Sequence, residues 1–518
     1  MQKHPGQNYL EADVQPPRMG WKRGSMPRPF KLYRNCGQIK CTYESIEQPE
    51  TLTESDLERA QMGQMLADIY GLTRQSHIIK EEGLLFQASF SQRTYTPAFH
   101  QALLRPIPSG GALFPCELYL LVGSGKAFPA GLYHYDAAHH ALDIIRQGDH
   151  SQLLQASLAH PGDTFPGYTL LLSCFFWKDG FKYGAFSYRL QGLDIGAVIG
   201  QSIIISNHYH LEATIHYQFL DKAIDELIGL DPLHESIYAV ITLAPTHHLP
   251  LDDRNTPGEE LIQHQTMPTA EQLESVAYWP LVEAVHRASL IETLSAFRPL
   301  HSLEPIKRAE SVASQAFPPT NESLDLWQAR YQRRSAAGFR PAPLSEQQLA
   351  QLLLASTRGT SNDLDGRSDL LLHTLLYCVV NSVQNIPSGI YSYHPQEHRL
   401  ALVSAGEVQS KFQELLGWAN FNLFQMSICL VPVANYKNGF QVYGDRWYRI
   451  QNMEAGIITQ RLYLAAATLK LGCRANLGFP VPEMDKFLCL PEDYTSLLQV
   501  LVAPEHPIYG HYTQSLLL

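Results

Sequence analysis

The sequence has no long hydrophobic run. Nowhere do about 18 consecutive apolar residues occur, the least a membrane-spanning helix needs, so no membrane segment is expected. The opening stretch, "MQKHPGQNYLEADVQPPRMGW", has no apolar core, so no secretory signal is expected either. Positive charge is in deficit. With 39 basic against 50 acidic residues the net charge is -11, which argues against a broad nucleic-acid surface and leaves only local basic spots such as Arg333-Arg334 as anion sites. Cysteine is sparse: eight thiols are scattered, Cys36 and Cys41 are the closest pair, and neither CxxC nor a Cys/His zinc spacing occurs. Reduced thiols in a cytoplasmic protein without a metal site are the simplest reading. His139-His140 and His247-His248 are adjacent rather than four apart, and read as solvated pairs. "GSGKA" at Gly123 lacks the upstream glycine and the following Ser/Thr of a P-loop. No GxGxxG and no GxSxG is present, so a dinucleotide fingerprint and a nucleophile elbow are both missing.

What is present is globular: 518 residues, 45% hydrophobic and 17% charged, enough for two or three domains with real cores. One stretch stands out, "RPIPSGGALFP" from Arg105 to Pro115. Three prolines surround Ser109, Gly110 and Gly111, and a strand-like run, "CELYLLVG", follows. Glycine lets a backbone approach something closely, and flanking prolines fix where that backbone points. A tight turn and a flat ligand are both compatible with that composition.

The chain also repeats itself. "GLYHYDAAHHALDIIRQGD" from Gly131 recurs as "GIYSYHPQEHRLALVSAGE" from Gly389, 258 residues on. "KDGF" at Lys178 recurs as "KNGF" at Lys437, and "YGAFSYRLQGLDIG" at Tyr183 as "YGDRWYRIQNMEAG" at Tyr443, at offsets of 259 and 260. A nearly constant offset over three blocks means two copies of one domain. In each copy short aromatic-rich strands ("CELYLLVG", "GLYHYD", "TLLLSCFFW") precede a long helix. That helix is "GLDIGAVIGQSIIISNHYHL" in copy one and "NMEAGIITQRLYLAAATLKLG" in copy two, the second capped by Gly472. Between them lie the polar linker "APTHHLPLDDRNTPGEEL" and a helical piece, "TAEQLESVAYWPLVEAVHRASLIETL". The expected organisation is α+β: domain one over residues 1–245, a linker with a helical segment over 246–325, and domain two over 326–518, joined as an intramolecular pseudo-dimer.

These blocks resemble the SagB-type, FMN-dependent dehydrogenases of the nitroreductase superfamily, in a tandem-domain form. The resemblance rests on "PSGGALFPCELYLLV", "GLYHYDAAHHALDIIRQGD" and "KYGAFSYRLQGLDIGAVIGQ" in copy one. In copy two it rests on "RRSAAGFRPAPLSEQQLAQLLLAS" and "YRIQNMEAGIITQRLYLAAATLKLG". It implies two three-layer domains with FMN at their interface. It further implies that Pro108, Ser109, Gly110 and Gly111 lie against the flavin ring. Arg333, Arg334 and Ser335 are expected to clamp its phosphate, a role that suits arginine's fixed fork of donors. Arg474, after the long helix, is a second phosphate candidate. Lys182 and Tyr183 are expected to be catalytic by the same resemblance, Lys182 as a base and Tyr183 as an orienting or proton-relaying group.

Each copy departs from the family pattern. Copy two has Val442 where copy one has Lys182, although Tyr443 keeps the tyrosine, and its "DGRSDLLLHTLLYCVV" has no Ser-Gly-Gly loop. Copy one's "PFKLYRNCGQIKCTYESI" has no Arg-Arg-Ser. One composite site is therefore expected, with its reciprocal, pairing "RSDLLLH" with "RNCGQIK", lost. The implied activity is oxidation of thiazoline or oxazoline rings in a peptide, with a cyclodehydratase as partner. A general NAD(P)H-dependent reductase of small molecules and a degenerate flavin-binding scaffold remain as alternatives.

Overall fold

A computed structural model describes residues 5, 8, 27–43, 53–81, 97–161, 167–245, 268–270, 279–300, 314–317, 324–364, 372–416, 422–506 and 511–515. Its first half builds a seven-stranded antiparallel sheet. The strand order is β2 (Gln38–Lys40), β7 (Ala141–Gln147), β6 (Gly131–Asp136), β5 (Cys116–Val122), β8 (Tyr168–Phe175), β10 (Glu235–Pro245) and β9 (Leu211–His216). The second half repeats this order with β12 (Ser314–Ala316), β15 (Arg399–Ala405), β14 (Gly389–His394), β13 (Leu375–Val380), β16 (Ile428–Asn435), β19 (Gln499–Ala503) and β17 (Gly472–Asn476). An eighth strand, β18 (Tyr494–Ser496), pairs with β16. The duplication seen in the sequence is thus a duplication of topology.

Successive residues of a strand point to opposite sides of its sheet. In β5, Leu118, Leu120 and Val122 enter the large central core, while Tyr119 and Leu121 join a smaller outer cluster. In β13, Leu376, Cys378 and Val380 face in, and Tyr377 and Val379 face out. Both faces are covered, so these strands read as continuous apolar runs. Short helices cover the outer faces: α2 (Ser151–Ala156) and α5 (Asp221–Ile228) on the first sheet, α8 (Gln409–Glu414) and α11 (Val481–Phe487) on the second. Toward the inside lie α1 (Glu54–Tyr70), α3 (Phe176–Tyr183) and α4 (Ser187–His208). Their second-half counterparts are α7 (Glu346–Ser356), α9 (Tyr436–Tyr443) and α10 (Arg446–Thr468). Helices α1 and α7 both open with a capping box, Thr53 with Asp56 and Ser345 with Gln348.

Helices α4 and α10 cross at the centre, buried nearly all round. They touch backbone to backbone. A Cβ on Gly196 would stand 2.0 Å from the Met453 carbonyl oxygen, and one on Gly456 2.2 Å from that of Leu193. Gly196 and Gly456 are repeat equivalents, as are Leu193 and Met453, so the contact has pseudo-two-fold symmetry. The same symmetry stacks Tyr188 on Tyr448, with ring centroids 5.8 Å apart. It sends Arg189 to the Leu497 carbonyl (2.5 Å) and Arg449 to the Ile237 carbonyl (2.7 Å). Chain exchange adds to this. The last strand, β20 (His511–Ser515), pairs with β3 (Arg74–Glu81), which also pairs with β4 (Pro97–Leu104). Asp363 accepts from the Tyr217 and Gln218 amides, both at 2.8 Å.

Several expectations are corrected. Helix α10 stops at Thr468, and the left-handed residue beyond it is Lys470 (φ 57°), not Gly472. Gly472 opens β17, where a Cβ would come within 3.0 Å of Ala336 Cβ, so close packing explains the glycine. In "TLLLSCFFW" the strand ends at Phe175, and Phe176 and Trp177 begin α3. The helical piece after the linker is α6, Pro280–Ser289, with proline at its first position where the missing N–H costs nothing. Thr269 and Ala270 instead form β11, paired with β1 (Tyr33–Arg34), and residues 271–278 lie outside the described residues. The linker sequence from residue 246 to 261, with His247-His248, also lies outside them. Within 246–325, β12 is an edge strand of the second sheet and not a connector. Among the described residues no helix is long and apolar enough to cross a membrane.

The crossing makes a sharp prediction. Gly456→Val should destabilise the protein by about 3 kcal/mol or more, because backbone cannot yield as a side chain does. Gly338→Ala, whose Cβ would have its nearest neighbour at 4.0 Å, should change stability by less than about 0.5 kcal/mol. Paired denaturant titrations measure both.

Candidate functional site

The Pro108–Gly111 segment is a strained loop held by one carboxylate. Ser109 Oγ donates to Asp194 Oδ2 at 2.5 Å and accepts from the Phe114 amide at 2.9 Å. The Gly110 amide donates to the same carboxylate at 3.3 Å. Beyond it, Gly111, Ala112 and Phe114 all have positive φ (64°, 57° and 50°). The two non-glycine residues pay steric strain, which these hydrogen bonds offset. Asp194 sits on α4, so the central helix sets the position of the loop.

Lys182 and Tyr183, at the end of α3, converge on the same loop. A methyl group on Gly111 would stand 2.6 Å from Lys182 Nζ and 2.7 Å from the Tyr183 hydroxyl. Lys182 Nζ lies 5.0 Å from the centroid of the Tyr183 ring. Both side chains are half-buried. Burial first, then Asp179 and Asp194, push the Tyr183 phenol up, so it stays a hydrogen-bond donor at neutral pH. In copy two the matching Tyr443 donates to the Leu364 carbonyl (3.3 Å), a buried structural bond. The "KDGF" and "KNGF" blocks are alike in sequence and different in place. Lys178 is buried against Glu117 and donates to the Phe114 carbonyl (3.3 Å), under the loop. Lys437 is 60% exposed and pairs with Asp493.

A cluster of arginines lies beside the loop, across the boundary between the copies. Arg333 is 4% exposed, and its Nε and Nη1 have no hydrogen-bond partner in the structure. Its Nη2 reaches the Arg105 carbonyl at 3.4 Å, at the start of the loop segment. Its guanidinium lies 5.2 Å from the Tyr463 ring centroid. Ser335 Oγ is 3.0 Å from the Tyr463 hydroxyl, and Arg474 Nη1 donates to the Ala336 carbonyl at 2.8 Å. Arg334 turns outward, 60% exposed, onto Glu505 at 2.7 Å. Sequence reasoning missed Arg74, from β3 of copy one. It donates to the Arg333 carbonyl, and its Nε has no partner. Burial and the adjacent Arg333 and Arg334 push its guanidinium down to about 10. Nothing in its local sequence marks it; only chain exchange brings it here. Buried guanidinium N–H groups without acceptors fit a phosphate.

The structure thus brings Ser109, Gly110, Gly111, Lys182 and Tyr183 together from copy one, and Arg333, Ser335 and Arg474 together from copy two. Arg334 is the member of the set that points elsewhere. The two groups adjoin, because Arg333 touches Arg105 and Gln460 Nε2 donates to the Pro106 carbonyl at 3.3 Å. The reciprocal pairing needs revision. Gln38–Lys40 of "RNCGQIK" form the edge strand β2, whose counterpart in copy two is β12, not the Arg-Arg-Ser segment. Residues 365–371, which include most of "RSDLLLH", lie outside the described residues. Asp194 was also missed, although an acid stands at that repeat position in both copies, as Glu454 in copy two. Among the described residues no cluster of three or more His, Cys, Asp or Glu could hold a metal.

Comparison with known proteins adds a lineage. The sequence profile of the Nitroreductase family matches residues 331–503. "Putative nitroreductase MJ1384" of Methanocaldococcus jannaschii is 30% identical over 184 residues, which cover 34% of this chain and 89% of that protein. "Trifolitoxin-processing protein TfxB" of Rhizobium leguminosarum bv. trifolii is 30% identical over 154 residues. That match covers 28% of this chain and 41% of TfxB, less than half its length. The crystal structure of a putative nitroreductase from Anabaena variabilis aligns over 98% of this chain and 100% of its own. Its TM-score is 0.77 at 22% identity, which shows the shared tandem fold.

The arginine cluster can be tested without any cofactor. Millimolar inorganic phosphate should raise the melting temperature of the wild-type protein, since a ligand that binds only the folded state stabilises it. The rise should vanish in Arg333→Ala and shrink in Arg74→Ala, while Arg334→Ala keeps most of it.

Proposed function

The chain belongs to the nitroreductase family, and on that premise we propose that it is an FMN-dependent oxidoreductase that converts thiazoline or oxazoline rings of a modified peptide to thiazole or oxazole. The observation that carries this reading is the convergence of Lys182 Nζ and the Tyr183 hydroxyl on Gly111. A base and a donor beside a bare backbone are what removal of a carbon-bound proton beside a flat ring requires. Similarity to a trifolitoxin-processing protein supports a peptide substrate.

Bound FMN supplies a two-electron acceptor. Arg333, Arg74, Arg474 and Ser335 would hold its phosphate, and the Pro108–Gly111 backbone would face its ring, the bare Gly111 leaving room for Lys182 and Tyr183 at the loop. Lys182 takes the proton from the azoline ring carbon while a hydride leaves the substrate, so the ring loses two electrons and two hydrogens and becomes aromatic. Tyr183, protonated at neutral pH, orients the ring through its hydroxyl. The azoline itself arises by condensation of a Cys, Ser or Thr side chain onto the preceding peptide carbonyl with loss of water. A cyclodehydratase partner therefore precedes this step.

The site is composite, so one FMN per chain is expected. Absorbance of the purified protein with the released cofactor identified checks this: two FMN per chain would show a second working site, and a colourless protein unresponsive to added FMN would favour the scaffold reading. For the chemistry, Lys182→Ala should keep FMN and lower azoline oxidation about a hundredfold or more. Lys437→Ala should leave it unchanged. Rapid NAD(P)H oxidation with no turnover of an azoline peptide would move the assignment to a general flavin reductase.

A further inference from the structure

The segment that joins the copies presses on the helix that carries Lys182 and Tyr183. Gly180 lies inside α3, where glycine is a poor helix former. Close approach explains it. A Cβ there would stand 2.3 Å and 2.5 Å from two carbons on the outer edge of the Trp279 indole. Gly184, at the C-cap of α3, has a positive φ of 56°, and a Cβ there would lie 3.7 Å from the Trp279 ring nitrogen. Trp279 also stacks on Trp177 of the same helix, with ring centroids 5.9 Å apart and 25° between the planes. The indole therefore meets α3 from its second residue to its cap.

Trp279 is itself held in place. It is the N-cap of α6, whose Val282, Val285 and His286 are buried. The His286 ring meets Phe176, the first residue of α3, edge-on at 4.8 Å. At the other end of α6, the Ser289 carbonyl accepts from Arg446 (2.9 Å) and its hydroxyl from Arg449 (3.3 Å), both on α10 of copy two. The Ile291 amide donates to Asp221 at 2.7 Å, and Arg446 donates to the same carboxylate at 2.7 Å. Helix α6 is a strut, tied to both copies at one end and seated on α3 along its length.

The repeat shows what the strut replaces. Gly439, the counterpart of Gly180, is covered in the same way: a Cβ there would stand 1.8 Å from the Trp447 ring. Trp447 belongs to α10, and its ring also stacks on Tyr443 at 5.7 Å. Copy one has Ser187 at that position, four residues beyond Tyr183 as Trp447 is beyond Tyr443. Among the described residues an indole covers the glycine in both copies, and only Trp447 also stacks on the tyrosine. Tyr183 instead has Phe186 as a tilted ring neighbour at 6.5 Å, and its hydroxyl stands at the Ser-Gly-Gly loop.

We propose that Trp279 is a positioning residue for Lys182 and Tyr183. It takes over from outside the repeat the glycine-covering role that Trp447 has in copy two, and it leaves the tyrosine to the site. The inference rests on the role given to Lys182 and Tyr183 under the proposed function and extends it to the joining segment. Small displacements of reacting groups cost rate more than affinity, so the effect belongs in kcat.

Hydrogen exchange reads the anchor, and kinetics read its effect. In Trp279→Ala the amides of residues 180–184 should exchange about tenfold faster or more than in the wild type, while those of α9 keep their rates. With an azoline peptide as substrate, kcat of that variant should fall about tenfold at unchanged KM and FMN content, and Trp279→Phe should recover most of the loss. Size complementarity gives a third reading. Gly180→Ala alone should lower kcat about tenfold, because the added methyl displaces the indole. Combined with Trp279→Phe, whose ring lacks the outer edge that meets Gly180, it should be more active than Gly180→Ala alone. Wild-type exchange rates at 180–184 in Trp279→Ala would overturn the proposal. So would a loss of FMN in step with kcat, or a double variant no better than Gly180→Ala. If Trp279→Ala does not fold, Gly180→Ala with and without Trp279→Phe decides by the same measurements. A wild type that turns over no azoline peptide would refute the chemistry proposed above and leave the anchor to be decided by the exchange rates alone.

Discussion

Everything else in the molecule depends on two helices crossing at glycine. Gly196 and Gly456 let α4 and α10 meet backbone to backbone, and no other residue fits where the next heavy atom is a carbonyl oxygen about two ångströms away. This contact joins the halves of the chain into one core, because the same helices carry the inner faces of both sheets. It also fixes the site. Asp194 lies two residues before Gly196 and holds the loop. Tyr463, seven residues after Gly456, holds Ser335 and underlies Arg333. A shift of one helix against the other would separate the loop from the arginine cluster.

Duplication followed by division explains why the copies are alike in topology and unlike in chemistry. Pseudo-symmetry is kept wherever packing demands it: the glycine contacts, the tyrosine stack, the reciprocal arginine-to-carbonyl bonds. It is broken at the proposed site. Lys182 has Val442 opposite, and the hydroxyl of Tyr443 is spent on a core carbonyl. A homodimer must keep every functional group in both subunits, because one sequence writes both. A fused pair escapes that constraint, so each half can discard what the other supplies.

The electrostatics of the site follow from burial more than from count. The chain as a whole is acidic, yet Arg74, Arg333, Arg334 and Arg474 gather at the junction with Glu505 as counter-ion to one of them. Asp179, on α3, is buried with no donor to either of its oxygens. Cations short of acceptors and acids short of donors both store unfavourable desolvation. A bound anion would relieve the first.

The sequence by itself determined the duplication and the α+β class. These follow from local periodicity and from short-range side-chain chemistry, which are written in neighbouring residues. It also singled out the Ser-Gly-Gly loop and the Lys-Tyr pair as chemically unusual. Only the tertiary structure decided that Arg333 rather than Arg334 turns inward, and that Gly472 answers to Ala336 rather than to a helix end. The same holds for Lys178, whose place under the loop nothing in "KDGF" reveals, and for Arg74, which arrives from the other copy through β3. Adjacent arginines on one chain are equivalent until packing assigns one to solvent, and a residue brought from some 259 positions away leaves no trace in the local pattern.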